Sequence, residues 1–222
     1  DSTTYFIKHE YPNLLLRYTF EDREPNAQDP SMDQPIIIDQ TATMSYALFN
    51  NEGKAFSKTR TVVFEQLNPF DAVNLNPGSL QNGLAYSYAE GAWKSVPDFD
   101  KIPIQKTGIS SMPSIEAIET RDDHYALEWK GYIYLHEEGL YEWQTTSDDG
   151  SQLYLHNQLI VDNDGSHSKR MRTGLIALKK GWHPIRILYF EDYAGQFLEL
   201  GYRLSTHSNW QKVSPEQFKT AQ

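Results

Sequence analysis

The sequence predicts an all-β protein on three observations. Apolar residues alternate with a period of two, turn-forming dipeptides recur between the alternating runs, and helical periodicity is nearly absent. Near the start, Leu14, Leu16, Tyr18 and Phe20 alternate with Leu15, Arg17 and Thr19. Such a run turns one strand face to a core and the other away from it. Tyr132 and Tyr134 alternate with Ile133 and Leu135, and the pattern returns at Leu153/Leu155, Leu159/Val161, Ile185/Ile187/Tyr189 and Leu198/Leu200/Tyr202/Leu204. Between these runs stand Glu52-Gly53, Glu138-Gly139, Asp149-Gly150, His156-Asn157, Asp164-Gly165 and Lys180-Gly181, pairs that tolerate the dihedrals of tight turns. Only Ser214-Pro215-Glu216-Gln217-Phe218 carries a helix-start signal, with Ser214 as N-cap and Pro215 at the first helical position, enough for a single turn. Many short strands with Gly-bearing turns point to β-sandwiches.

Size and composition bound the function. The 222 residues suffice for one large β domain or two smaller ones, and 14 Tyr, 10 Phe and 5 Trp supply enough apolar area for packed cores. Lys and Arg total 20 against 30 Asp and Glu, a net charge of −10 that repels phosphate backbones and argues against a nucleic-acid partner. With no cysteine, disulfides, thiolate catalysis and cysteine-ligated zinc are excluded. No apolar run approaches the length of a membrane span. Residues 67–82, where Asn, Pro and Gly crowd together without alternation, read as a linker between a domain at 1–66 and a larger one at 83–222.

The larger part carries a family pattern. The run Tyr141-Glu142-Trp143-Gln144-Thr145-Thr146-Ser147-Asp148-Asp149-Gly150-Ser151-Gln152-Leu153-Tyr154-Leu155 resembles the central motif of the protective-antigen-14 β-sandwich, a fold of bacterial toxins, glycosidases and flocculin-type adhesins. Leu159–Asn163, Lys180–Ile187, Tyr189-Phe190-Glu191 and Leu198-Glu199-Leu200 are similar to later family segments, and Asn82–Gly91 to its first strand. The smaller part, through Leu15–Thr19, Glu24-Pro25, Gln34-Pro35-Ile36 and Ala47–Lys54, resembles the fibronectin-type-III-like segment near the end of family-20 β-hexosaminidases, with Glu21-Asp22-Arg23 in place of the usual Asp-Gly turn. The fold expected is therefore a small fibronectin-like β-sandwich followed by a larger protective-antigen-14-type sandwich. The resemblance implies a non-catalytic, carbohydrate-binding or scaffolding accessory module of a secreted bacterial glycosidase, located outside the cell, in the periplasm or on the outer surface. Its partner would be a glycan or the catalytic domain of the parent enzyme. The competing readings are a self-sufficient glycoside hydrolase that uses a carboxylate pair, and a cell-surface adhesion or spacer domain.

Four groups of residues are candidates for chemistry. In the adhesin branch, adjacent aspartates like Asp148-Asp149 hold a Ca²⁺ that itself coordinates sugar hydroxyls, so the resemblance implies Ca²⁺ as cofactor. Asp192, in the matching loop Glu191–Gln196, would add a third carboxylate to Asp148 and Asp149 as metal ligands, since Ca²⁺ prefers hard oxygens. The alternative is that these aspartates accept loop N–H groups and shape the turn. Asp162-Asn163-Asp164-Gly165-Ser166-His167 resembles the start of an EF-hand loop without its spacing or terminal Glu, and reads as a solvated loop. The pairs Asp122-Asp123, Glu137-Glu138 and Glu191-Asp192 are the places a hydrolase would need, yet no Asp-Glu dipeptide of the family-20 kind exists and the pairs read as solvated strand ends. For sugar stacking, Tyr193 and Trp182 are the exposed aromatic candidates beside Asp148, Asp149 and Asp192, whereas Trp129 and Trp143 belong in the core. The seven histidines show no metal-ligand spacing.

Overall fold

The computed structural model describes residues 3–221 and divides the chain into two units, Asp1–Asn68 and Pro69–Gln222. Residues 1, 2 and 222, which the expected domain ranges included, lie outside the described residues.

The first unit consists of β1 (Thr3–Tyr5) paired with β3 (Ile36–Ile38), and of β2 (Leu14–Thr19), β4 (Ala42–Asn50) and β5 (Arg60–Phe64) in the order β2-β4-β5. Leu16, Met32 and Met44 are its buried centre, with Tyr5, Tyr18, Ile36, Tyr46 and Phe64 packed around them. The stretch that departs from the expected Asp-Gly turn is closed by charge. Arg23 donates both terminal nitrogens to Asp29 at 2.6 and 2.5 Å and its Nε to Glu21 at 2.6 Å. That guanidinium holds the Asp29 carboxyl down at about 2. The described residues form a two-stranded and a three-stranded sheet, five strands against the seven of an immunoglobulin-type sandwich, and the expected fibronectin-like domain is not confirmed.

The second unit is a two-layer sandwich. One layer orders β12 (Gln158–Asn163), β11 (Ser151–Leu155), β14 (Gly181–Glu191), β9 (Tyr125–Leu135), β17 (Phe218–Ala221) and β6 (Leu80–Asn82); β7 (Leu84–Glu90) also pairs with β9, and β8 (Lys106–Ser110) with β7. The other layer orders β13 (Arg170–Leu178), β10 (Gly139–Asp148), β15 (Phe197–Leu204) and β16 (Gln211–Lys212). All these pairs are antiparallel, so period-two alternation decides which side chains meet between the layers. From the larger sheet come Leu127, Trp129, Ile133, Leu135, Leu153, Leu155, Ile185 and Ile187. Tyr141, Trp143, Ile176, Leu178 and Leu200 come from the smaller one, all buried. Trp129 and Trp143 lie in this core at 0% exposure, as their strand positions require. At Gly174 a Cβ would sit 1.7 Å from the carbonyl oxygen of Ile160, so only glycine lets β12 cross β13 there. Ser214 opens a single 3-10 turn, Pro215–Gln217, whose Gln217 side chain accepts from the Ser214 N–H at 2.9 Å.

The expected linker at 67–82 needs correction. From Pro69 onward it belongs to the second unit: Phe70 N–H donates to Ala177 O (2.9 Å), Lys179 N–H to Phe70 O (3.0 Å) and Val73 N–H to Trp182 O (2.8 Å), and β6 pairs with β17. The Phe70 ring stacks on His156 at 4.8 Å, and His156 in turn lies 2.8 Å (Nε2 to Nδ1) from the fully buried His183. Residues rich in Asn, Pro and Gly can edge a sheet when isolated bridges replace a full ladder. Native-state hydrogen exchange is expected to show slow exchange at the Phe70 and Val73 amides and fast exchange at Leu67, which is exposed. Equal, fast exchange at all three would mean that the segment is a free tether.

Candidate functional site

Three turns meet at one end of the sandwich: the β10–β11 corner at Asp148-Asp149-Gly150, the loop 164–169 after β12, and the loop 192–196 after β14. Asp149 joins them. Its side chain is buried, its Oδ1 accepts the His167 N–H at 2.6 Å, and its Oδ2 accepts the N–H groups of Asp192 (2.9 Å) and Tyr193 (3.3 Å). The peptide bond between Asp148 and Asp149 is cis. Asp148, half-buried, accepts the Lys169 N–H on Oδ2 at 3.1 Å. Asp192 is buried, with Oδ2 2.6 Å from the Lys94 ammonium and 2.7 Å from Ser166 Oγ, its donor. Lys94, with Ser166, holds the Asp192 carboxyl below the usual carboxylate range. Tyr193 projects outward at 71% exposure, its ring 6.4 Å from that of His124.

A polar layer supports the corner from beneath. Thr145, Ser147, Ser151 and Asn163 are fully buried. The Ser147 and Ser151 hydroxyls lie 2.8 Å apart, Ser151 donates to Thr145 Oγ1 at 2.9 Å, and Asn163 Nδ2 donates to Ser147 Oγ and to the Arg170 carbonyl at 3.0 Å each. Arg170 Nε completes the ring by donating to Asn163 Oδ1 at 2.8 Å. Each buried polar group therefore has a partner, which removes the cost of its desolvation.

Glu191, below this end, lacks such full pairing. It is fully buried, its Oε1 has no partner among the described residues, and the Tyr189 hydroxyl lies 2.6 Å from both its Oε2 and the Asp148 carbonyl oxygen. One hydroxyl hydrogen cannot serve both acceptors fully; a protonated carboxyl ends the competition by donating to the hydroxyl. Burial pushes the Glu191 carboxyl up to about 7, assisted by the charges of Asp149, Asp148 and Asp123 and opposed by the Tyr189 hydrogen bond.

The sequence-derived candidates are thus only partly assembled. Asp148, Asp149, Asp192 and Tyr193 share this end, but Trp182 does not. It stands at the far end of β14, about 30 Å away along the strand at the usual rise per residue. The three aspartates also fail the fit to a three-carboxylate Ca²⁺ cage. Asp149 spends both oxygens on backbone N–H groups, Asp192 is occupied by an ammonium, and no three His, Cys, Asp or Glu side chains among the described residues are grouped to hold a metal. The turn-shaping alternative describes Asp149. The loop 162–167, expected to be merely solvated, is instead structural, since His167 N–H and Ser166 Oγ donate into the corner and Asp164 Oδ1 accepts the Val96 N–H at 2.7 Å. Asp122-Asp123 meets the same end, with Asp123 Oδ1 accepting the Ala194 N–H at 3.0 Å. Sequence reasoning missed Lys94, which is 98 residues from its partner and has no motif.

Comparison with known proteins shows the family of the fold. The PA14 domain family matches residues 80–216. A β-hexosaminidase of Porphyromonas gingivalis is 27% identical over 188 residues, covering 79% of this chain; the chain spans 23% of that protein's length. Among solved structures, the PA14 sugar-binding domain from an RTX adhesin superposes with a TM-score of 0.52 at 15% identity, covering 63% of this chain and 99% of that one. The A domain of a subtype-switched epithelial adhesin 9 from Candida glabrata, in complex with β-lactose, superposes with a TM-score of 0.57 at 10% identity, covering 71% and 96%. These likenesses carry the fold.

Two outcomes test the corner. A carboxyl whose folded value lies above its ordinary one near 4.5 contributes stability that is complete below that ordinary value and is lost as pH rises through about 7. Glu191→Gln, which mimics the protonated form, should therefore be more stable than wild type at alkaline pH by about 3 kcal/mol, with the gap closing near the ordinary carboxyl value, as read from denaturant midpoints across pH. Asp149→Ala strands three N–H groups and should cost about 3 kcal/mol or more. A loss below about 0.5 kcal/mol, the range of ordinary surface changes, would show that the corner does not depend on this carboxylate.

Proposed function

Because the chain belongs to the PA14 domain family, we propose that it is a non-catalytic, glycan-docking accessory module of a larger protein of the β-hexosaminidase kind. The observation that carries this reading is Tyr193, an exposed aromatic ring whose own backbone N–H is fixed by the buried Asp149. A ring held on a rigid scaffold stacks on a sugar without first having to be ordered. The partial match to a β-hexosaminidase, and the sugar-bound adhesin among the structural neighbours, support the ligand class.

Catalysis is not part of the proposal. A glycosidase needs two carboxyls facing one bond across open space. At this end Asp149, Asp192 and Asp123 are committed to N–H or ammonium partners, and Glu191 is buried beneath them. Nor is a resident Ca²⁺ part of it, since Lys94 and the loop N–H groups already supply the positive charge that three clustered carboxylates need.

The test is a glycan array probed with the intact chain and with Tyr193→Ala. Binding that falls about five- to tenfold in the variant, and that persists in chelator, is the expected result. Array signals that vanish in chelator would overturn the cation-free part. Turnover of an aryl N-acetyl-hexosaminide, abolished by a single carboxylate substitution, would overturn the non-catalytic reading.

A further inference from the structure

The outer face of the larger sheet is unevenly covered. Towards the loop end, Ala89, Ala126, Leu188 and Phe190 lie beneath a cap contributed by residues 91–105, through Trp93, Val96, Phe99 and Ile102. Beyond Tyr154, which packs against that cluster, no such cap covers the other half of the face among the described residues. Its registered pairs are Trp182 with Tyr134, Pro184 with Tyr132, and Arg186 with Lys130, with Tyr154 beside Arg186 and Lys219 beside Tyr132. Antiparallel partners share a face, so these side chains stand together on the side opposite Ile133, Ile185 and Ile187. A groove of about 290 Å³ runs among Lys130, Tyr132, Tyr154, Asn157 and Arg186.

The charge of this half-face opposes that of the molecule. Arg186 donates Nε to Glu128 Oε1 at 2.6 Å, and Lys130 Nζ lies 2.9 Å from Glu128 Oε2, so one buried carboxylate serves two cations. Lys219, bonded to the neutral Asn82 side chain, adds a third. Of the acids around it, Asp98 is paired with Lys101 at 2.8 Å, Asp164 accepts the Val96 N–H at 2.7 Å, and Asp162, on the Tyr154 side, accepts from Gln152 at 3.3 Å. A local excess of positive charge in a chain of net charge −10 attracts an anion. Among the described residues the terminal nitrogens of Arg186 make no hydrogen bond, which leaves a planar fork matched to a carboxylate. The half-buried Tyr132 offers flat apolar area to a pyranose ring, while the Tyr154 ring, packed against the cap, lies beneath the Arg186 guanidinium, whose Cζ is 5.7 Å from the ring centroid, and backs the fork.

We infer that this half-face binds an acidic oligosaccharide, its uronate carboxylate on Arg186 and Lys130 and a neighbouring ring against Tyr132. The surface needs no divalent cation and lies apart from the Asp149 corner, so it stands or falls separately from the glycan-docking role of Tyr193.

The experiment is calorimetric titration of the intact chain with tri-galacturonate, with its neutral galactose counterpart and with a sulfated trisaccharide, at low and physiological salt. The expected result is binding of the uronate that weakens as salt screens it, with at least a tenfold loss in Lys130→Gln and in Tyr132→Ala and little binding of the neutral sugar. Lys130→Gln keeps Arg186 on Glu128, so it tests the surface without exposing a buried charge. Uronate binding unchanged in both variants, absence of uronate binding, or preference for the neutral or the sulfated sugar would each overturn the inference. Neutral-sugar binding on the array alongside no uronate binding would remove this surface while leaving the Tyr193 site standing.

Discussion

The loop end depends on one carboxylate. Asp149 is removed from water, and the charge it carries is compensated by three backbone N–H groups donated from two other loops. A buried charge without such partners would cost several kcal/mol, so the donors must stay in place, and with them the paths of residues 164–169 and 192–196. This reverses the usual relation between a turn and its binding residues. Here the acid that resembles a metal ligand is the fastener, and the residue it fastens, Tyr193, is the one presented to solvent.

Much of the fold was legible because antiparallel sandwiches write their register into the chain. Ile185, Ile187 and Tyr189 alternate in sequence and are buried in the same order in β14. Trp129 and Trp143 could be assigned to the core from strand position alone. What escaped was pairing without pattern. Phe70 and Val73 sit in a stretch that reads as a linker, and only the edge of the sheet they meet gives them partners. The site was less legible for a similar reason. Asp148, Asp149, Asp192 and Tyr193 were found through local motifs, but burial and direction decide whether a carboxylate faces a ligand or a backbone amide, and neither is encoded locally. Lys94 and Ser166 reach Asp192 across long stretches of chain. Trp182 was grouped with Tyr193 as an exposed aromatic, yet a long strand carries them to opposite ends.

The two faces of the larger sheet show how one periodic strand serves two purposes. Odd positions of β9 build the interior, and even positions build first a capped surface and then an open aromatic and cationic one. Glu128 is the hinge between these uses: its side chain is only 4% exposed, but it holds both Lys130 and Arg186 on the outer face. Loss of that acid would leave two cations repelling each other over an apolar floor.

The pairing of β6 with β17 has an evolutionary consequence. β6 and β17, the first and last strands of the second unit among the described residues, run side by side, Leu80 opposite Ala221. A unit whose two ends are neighbours occupies no more room in a host sequence than a hairpin does, and it can be spliced into a surface loop without prising the flanking segments apart. A unit built in this way is compatible with insertion into a surface loop, because its ends need no separate anchoring.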